Sequence, residues 1–200
     1  MKAAAASAKL ASDGRVRRGQ RSGRAIIDAL VDLIGEGVLE PTAQQVAERA
    51  GVGIRTVFRR FSDMEVLFAE MQSRLQAEAL PLLVGEPATG SLTQRARALV
   101  RKRLAFFERI APYKRSANLK RSRSPFLRNR HALLVRALRA DLLRWLPELR
   151  RAPASVADAL DLATSFEAWD RLRTDQRLGA ERSLDAVEII VLALVRDLEK

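Results

Sequence analysis

Cysteine is missing from this 200-residue chain, and histidine occurs once. The first absence excludes disulfides and thiolate metal sites. The second leaves a metal centre or a histidine-based triad poorly supplied, so His131 reads as a solvated or core-edge residue. No Gly-rich phosphate loop and no pair of catalytic carboxylates stands out, so neither a cofactor nor a metal is expected. No apolar run approaches the ~20 residues of a membrane span. The alanine-rich start is interrupted by Ser7 and Lys9, unlike the apolar stretch of a signal peptide. Alternating strand patterns and internal repeats are absent too. An enzyme, a membrane protein and a disulfide scaffold are therefore poor fits.

What the chain does have is apolar residues (48%) and an excess of positive charge, +12 formally. The first is enough for a real core. The second favours polyanionic partners, nucleic acid before a membrane surface. The charge is unevenly spread. Met1 to Arg24 holds seven basic residues and one acid, Arg95 to Arg151 eighteen and three, and Ala152 to Lys200 six and ten.

Residues 1–20 lack periodicity and read as a flexible basic arm. Helical spacing begins near Ser22, with Ile26, Ile27, Leu30, Leu33 and Ile34 on one face. Gly35 and Gly37 end that helix. Thr42 is a plausible N-cap for a second helix that runs to about Ala50 and buries Val46 and Ala47. Gly51 follows, where a positive φ is cheap. A third helix spans roughly Gly53 to Arg60, and Ser62 or Asp63 caps a fourth carrying Val66, Leu67, Met71 and Leu75. Pro81 to Gly90 reads as a loop. Five more helices are expected, over Leu92–Ile110, Pro112–Ser122, Pro125–Leu146, Ser155–Thr174 and Ser183–Leu198. The sum is an all-α chain of about nine helices.

Two short helices joined at Ala50-Gly51-Val52 form a helix-turn-helix. Val57 and Phe61, four apart, are placed to pin the third helix onto the first. Arg55, Thr56, Arg59 and Arg60 are then free on the other side, on a helix of the width that enters a DNA major groove. On these grounds alone, a helical hairpin with a solvated basic face remains an equal alternative.

The run "TAQQVAERAGVGIRTVFRRFSDMEVLF" settles more. From about Arg24 to Met71 the chain resembles the TetR/AcrR family of transcriptional regulators. The resemblance rests on Thr42, Val46-Ala47, Ala50-Gly51-Val52, Thr56-Val57-Phe58, Arg60 and Phe61. It implies a helix-turn-helix DNA-binding domain over 21–66 and an effector-binding and dimerisation domain over 67–200. It also implies that Gly53, Ile54, Arg55 and Thr56 face base edges or nearby phosphates, with Arg59 beside them. Arg55 is the favoured base reader, since a guanidinium grips guanine through two hydrogen bonds. Phe58 stands where the family usually has tyrosine and has no hydroxyl to give a phosphate. Arg60 replaces a frequent histidine and strengthens the backbone contact. Met64 replaces a frequent lysine, which removes one. Thr42 is the remaining expected phosphate contact. By spacing, Ile54 fits either the DNA face or the core.

In the body, the implied effector cavity has Phe106, Phe107, Tyr113, Leu134, Leu138, Phe166 and Trp169 as candidate lining, although core packing accounts for them as well. Val187, Val191, Leu194 and Leu198 repeat at three and four residues and read as the dimer seam. The central positive block has three readings: solvated helix faces, pairing with the acidic C-terminal helices, or attraction of an anionic effector or of additional DNA backbone. The whole reads as a cytoplasmic, homodimeric regulator that binds a palindromic double-stranded DNA operator and is released by a small-molecule effector. A basic architectural DNA binder is the first rival and a helical enzyme the second.

Overall fold

The computed structural model describes residues 2–83 and 85–198, with side chains from residue 19 onward except those of residues 80 and 197. Nine α-helices fill the described residues: α1 (Lys2–Gly35), α2 (Ala43–Arg49), α3 (Ile54–Arg60), α4 (Met64–Leu83), α5 (Leu92–Lys120), α6 (Pro125–Trp145), α7 (Ala154–Ala163), α8 (Phe166–Asp170) and α9 (Ala180–Val195). The described residues contain no strand. None of their helices is long and apolar enough to cross a membrane. The all-α expectation holds, and so does the helix number, although the helices are divided differently.

Four differences have physical causes. The arm expected over 1–20 is helical from Lys2 onward as part of α1. Its alanines are the best helix formers and need no buried face to justify a helix. Pro81 lies inside α4, close enough to its end that the chain leaves the helix within two residues. Pro112 lies inside α5, so the two helices expected over 92–122 are one. A proline forfeits one backbone bond there, and packing of the following turn offsets it: Ser116 is fully buried and donates from Oγ to the carbonyl of Leu39. The helix expected over Ser155–Thr174 breaks at Ser165, whose Oγ accepts from the amide of Ala168 (3.1 Å) and so starts α8 afresh.

Contacts divide the chain into two units. One holds the residues up to Gln76 together with Pro112–Leu119, and the other holds Ala77–Ala111 and the chain from Lys120 on. In the first unit, α1 buries Ile26, Ala29, Leu30, Leu33 and Ile34, α2 and α3 bury Val46, Ala47 and Val57, and α4 buries Leu67, Phe68 and Met71. Each large side chain of this set contributes roughly 1.5–3 kcal/mol on leaving water. The second unit has its own core, built on Leu99, Phe107, Leu142, Leu160, Phe166, Trp169 and Val191.

Candidate DNA-binding site

Two glycines shape the head. At the end of α1, the amide of Val38 donates to the carbonyl of Leu33 (2.9 Å) and that of Gly37 to Ile34 (3.0 Å), with Gly37 at φ +99. At the end of α2, Val52 donates to Ala47 (3.0 Å) and Gly51 to Glu48 (3.2 Å), with Gly51 at φ +64. Both ends are Schellman closures, which need a left-handed residue and so favour glycine. The second closure is the turn of the helix-turn-helix. It lets α3 restart at once, with Gly53 in the N-cap position.

The start of α2 is fixed as firmly. Thr42 Oγ1 accepts from the amide of Gln45 (3.2 Å), while Gln45 Oε1 accepts from the amide of Thr42 (2.9 Å). This capping box satisfies two otherwise orphaned amides. Thr42 is exposed, but its hydroxyl is committed to the cap. Arg49 grips Glu36 through two hydrogen bonds, 2.8 and 2.6 Å, tying α2 to the turn after α1. Those bonds hold the Glu36 carboxyl below its ordinary range. Asp63, not Ser62, caps α4, accepting from the amide of Val66 at 2.9 Å.

On this frame α3 turns Val57 inward, at 1% exposure, with Phe61 buried just beyond its end. Its other side carries Ile54, Arg55, Phe58, Arg59 and Arg60, all exposed, with Thr56 half-buried. Ile54 is 38% and Phe58 46% exposed, which puts both on the outer face and removes Ile54 from the core. The expected reading residues are thus brought together on one helix surface. Arg55 and Arg59 make no ion pair among the described residues. Arg60 differs from them: its guanidinium rests on α1 beside Gly19 and Gly23. The four-residue spacing of these glycines was the available signal for that contact.

In the second unit the expected site residues are placed less simply. Phe106, Phe107, Leu138, Phe166 and Trp169 are buried and Leu134 is partly buried against them. Phe107 meets Phe166 edge-on at 5.6 Å, and Phe166 lies 5.3 Å from Trp169. This is packed aromatic core. Tyr113 belongs to the first unit, with its hydroxyl beside Gly35. The residues of the seam expected on α9 are placed as follows. Val187 and Val191 are each 1% exposed and face the core of their own chain, with Leu194 and Leu198 packed partly against it. The large apolar residues exposed on α9 are Ile189 and Ile190.

Several residues of the central positive block are paired. Arg101 Nε stands 3.1 Å from Glu188 of α9, Arg139 2.7 Å from Asp158 of α7, and Arg95 grips Glu148 while donating to the carbonyl of Trp145 at 2.7 Å. Asp141, nearly buried, collects Lys102 (3.2 Å), Arg144 (2.8 Å) and Arg103 (3.9 Å). Arg103 is wholly buried; it donates to Thr164 Oγ1 (2.6 Å) and to the carbonyl of Leu138. Burial pushes its pKa down to about 10 against the pull of Asp141 and Asp161. No periodicity argument singles out Arg103, which stands in a run with Arg101 and Lys102.

A helix-turn-helix with a basic, exposed second helix defines a DNA-binding protein. The comparisons narrow this. Residues 26–71 match the profile of the bacterial regulatory proteins of the tetR family. The helix-turn-helix region of the chain is therefore that of the tetR family of DNA-binding regulatory proteins. No curated protein matches it. Among solved structures it is similar to a transcriptional regulator from Rhodococcus sp. Rha1, at 22% identity and TM-score 0.65, over 90% of this chain and 96% of that one. It is also similar to a proposed TetR-family transcriptional regulator from Mesorhizobium loti MAFF303099, at 20% identity and TM-score 0.64, over 89% and 96%. At such identities the likeness speaks for the fold alone.

Proposed function

We propose that the chain acts as a homodimeric repressor that binds a palindromic operator and is released by a small-molecule effector. The observation that carries the dimer is an apolar surface on two helices that pack together, α7 and α9. Leu162 is 69%, Ile189 70% and Ile190 48% exposed there. Scattered exposed leucines are ordinary, but three large apolar residues on adjoining helices favour cover by another surface. Two half-sites require two recognition helices, and a second copy supplies both the helix and the cover. The interface of this reading therefore uses Leu162, Ile189 and Ile190 in place of Val187 and Val191, with Leu194 and Leu198 retained at its margin.

On the DNA side the reading gives Arg55 the base contact. Ile54, Phe58 and Thr56 supply apolar and hydroxyl contacts around it, and Arg59, Arg60, Gly53 and Thr42 lie nearest the backbone. The effector is read as a molecule that opens the packing among Phe106, Phe107, Leu134, Leu138, Phe166 and Trp169 and favours a dimer whose heads no longer match the half-sites. Such a regulator works in the cytoplasm.

Footprinting on the DNA next to the gene tests the reading. The expected result is protection of two inverted half-sites on successive turns of one face of the duplex, with light scattering reporting a dimer. Protection without sequence preference would favour the architectural binder instead.

A further inference from the structure

Gly19 and Gly23 stand four residues apart on α1 and share one face. Both lie within a helix, so neither is needed for a left-handed turn, and glycine is the poorest helix former short of proline. What the pair provides is space. A Cβ on Gly23 would lie 3.3 Å from Arg60 Nη2 and 3.5 Å from Nε, and one on Gly19 would lie 3.4 Å from Nη1. Gly23 is buried although Gln20, Arg21 and Arg24 around it are exposed, and the Arg60 side chain from α3 is what lies over it.

This seat is unusual electrostatically. From Arg15 to Arg24 the helix carries five arginines and no acid, and Arg60 makes no ion pair among the described residues. A guanidinium laid against such a helix gains nothing from like-charged neighbours. It gains a great deal once a polyanion bridges them. Arg60 also closes α3, whose exposed face carries the candidate base readers. A long arginine free in solvent would lose rotamer freedom on meeting a phosphate; one already fixed loses less.

We propose that Gly19 and Gly23 form a seat that fixes the Arg60 guanidinium for contact with a DNA phosphate beside the bases read by α3. The glycines are positioning residues, and Arg60 is the residue that touches the backbone. This rests on the DNA-binding reading above and adds that α1 takes part in it.

The test is a double-mutant cycle between Gly23→Leu and Arg60→Ala, read as the slope of log affinity against log salt on the operator. Arg60→Ala should reduce the slope by about 0.9, the value of one phosphate contact. Gly23→Leu fills the seat and should reduce it by a similar amount in the natural chain, and by nothing further in the Arg60→Ala chain. No change in either background, or equal loss in both, would overturn the proposal. Should Gly23→Leu lose its cooperative thermal transition, Gly19→Ala/Gly23→Ala replaces it in the same cycle. Those alanines favour the helix and ask the guanidinium to move only a few tenths of an ångström, so the slope should fall less. Arg55→Ala separates the two readings. If it loses operator affinity while the glycine variants bind normally, only the seat fails; if the natural chain shows no operator binding, the DNA-binding reading fails with it.

Discussion

The outer face of α3 and the second unit use arginine in opposite ways, while Arg49 and Arg74 of the first unit are paired with Glu36 and Asp28. In the head, Arg55 and Arg59 stand exposed on α3 with no carboxylate among the described residues to neutralise them. In the body, Arg95, Arg101, Arg103, Arg139 and Arg144 are each within reach of a carboxylate, and Arg103 is wholly buried. An exposed unpaired guanidinium keeps its charge and donors for an external anion. A buried, paired one has spent them on the fold. The position of positive charge in the sequence therefore says little about its use. The richest basic block, Arg95 to Arg151, belongs mainly to the body, and the decisive few arginines lie outside it.

The largest test removes the body's shared counter-ion. Asp141→Ala strands Lys102 and Arg103 in a nearly dry site, and unfolding in denaturant should show a loss of about 3–5 kcal/mol. A loss below ~1 kcal/mol would mean that the cluster is as well solvated as the head.

A second pair of changes separates inside from outside on α9. Val191→Glu buries an unpaired carboxylate and should cost several kcal/mol or abolish folding, roughly as costly as the first test. Ile189→Glu, on the exposed side, should keep the fold and give a monomer by light scattering. A folded dimer from Ile189→Glu would remove that face from the interface.

Smaller again is the effect of a single reading residue. Arg55→Ala should cost ~1–3 kcal/mol of operator affinity, leave weak binding to random DNA largely intact and not change stability. Equal losses on operator and random DNA would make Arg55 a backbone contact.

The smallest effect is a pH dependence. Hydrogen bonds from Arg95 hold the Glu148 carboxyl below its ordinary range, as those from Arg49 hold Glu36. Each is more readily ionised in the folded chain than in the unfolded one. Their stabilisation is therefore present above about pH 5 and is lost as pH falls through the folded-state values. Glu148→Gln should flatten the acid limb of stability against pH by no more than ~1 kcal/mol, since the carboxylate is partly solvated. A steeper acid limb in the variant would contradict this sign.

Much of the head is legible in the sequence because its signals are local. Gly51, the Thr42 cap and the Val57–Phe61 spacing each act within a few residues, and each appears in the structure as the spacing implies. The body is harder because its outcomes depend on residues far apart in the chain. Pro112 reads as a stop, yet α5 continues through it with Ser116 bonded to Leu39. The repeat of Val187 and Val191 reads as a dimer seam, because an apolar stripe does not say whether its own chain or a second copy buries it. Arg103 looks like its neighbours in sequence and is distinguished only by Thr164 and Asp141, which α7 and α6 bring to it. The helical start of α1 carries no apolar periodicity, and its signal is the helix propensity of its alanines.

The central claim is that the exposed charge of α3 is kept for DNA and the paired charge of the body is spent on the fold. It is tested most directly by operator binding in a salt titration of two variants matched in charge, Arg55→Gln/Arg59→Gln in the head and Arg97→Gln/Arg101→Gln in the body. Both body residues face Glu188, at 4.0 and 3.1 Å. The account predicts that the head variant loses affinity, with a slope shallower by up to about 0.9 for each phosphate contact removed, while the body variant keeps the slope of the natural chain. A slope that falls in the body variant, or stays unchanged in the head variant alongside undiminished affinity, would contradict it.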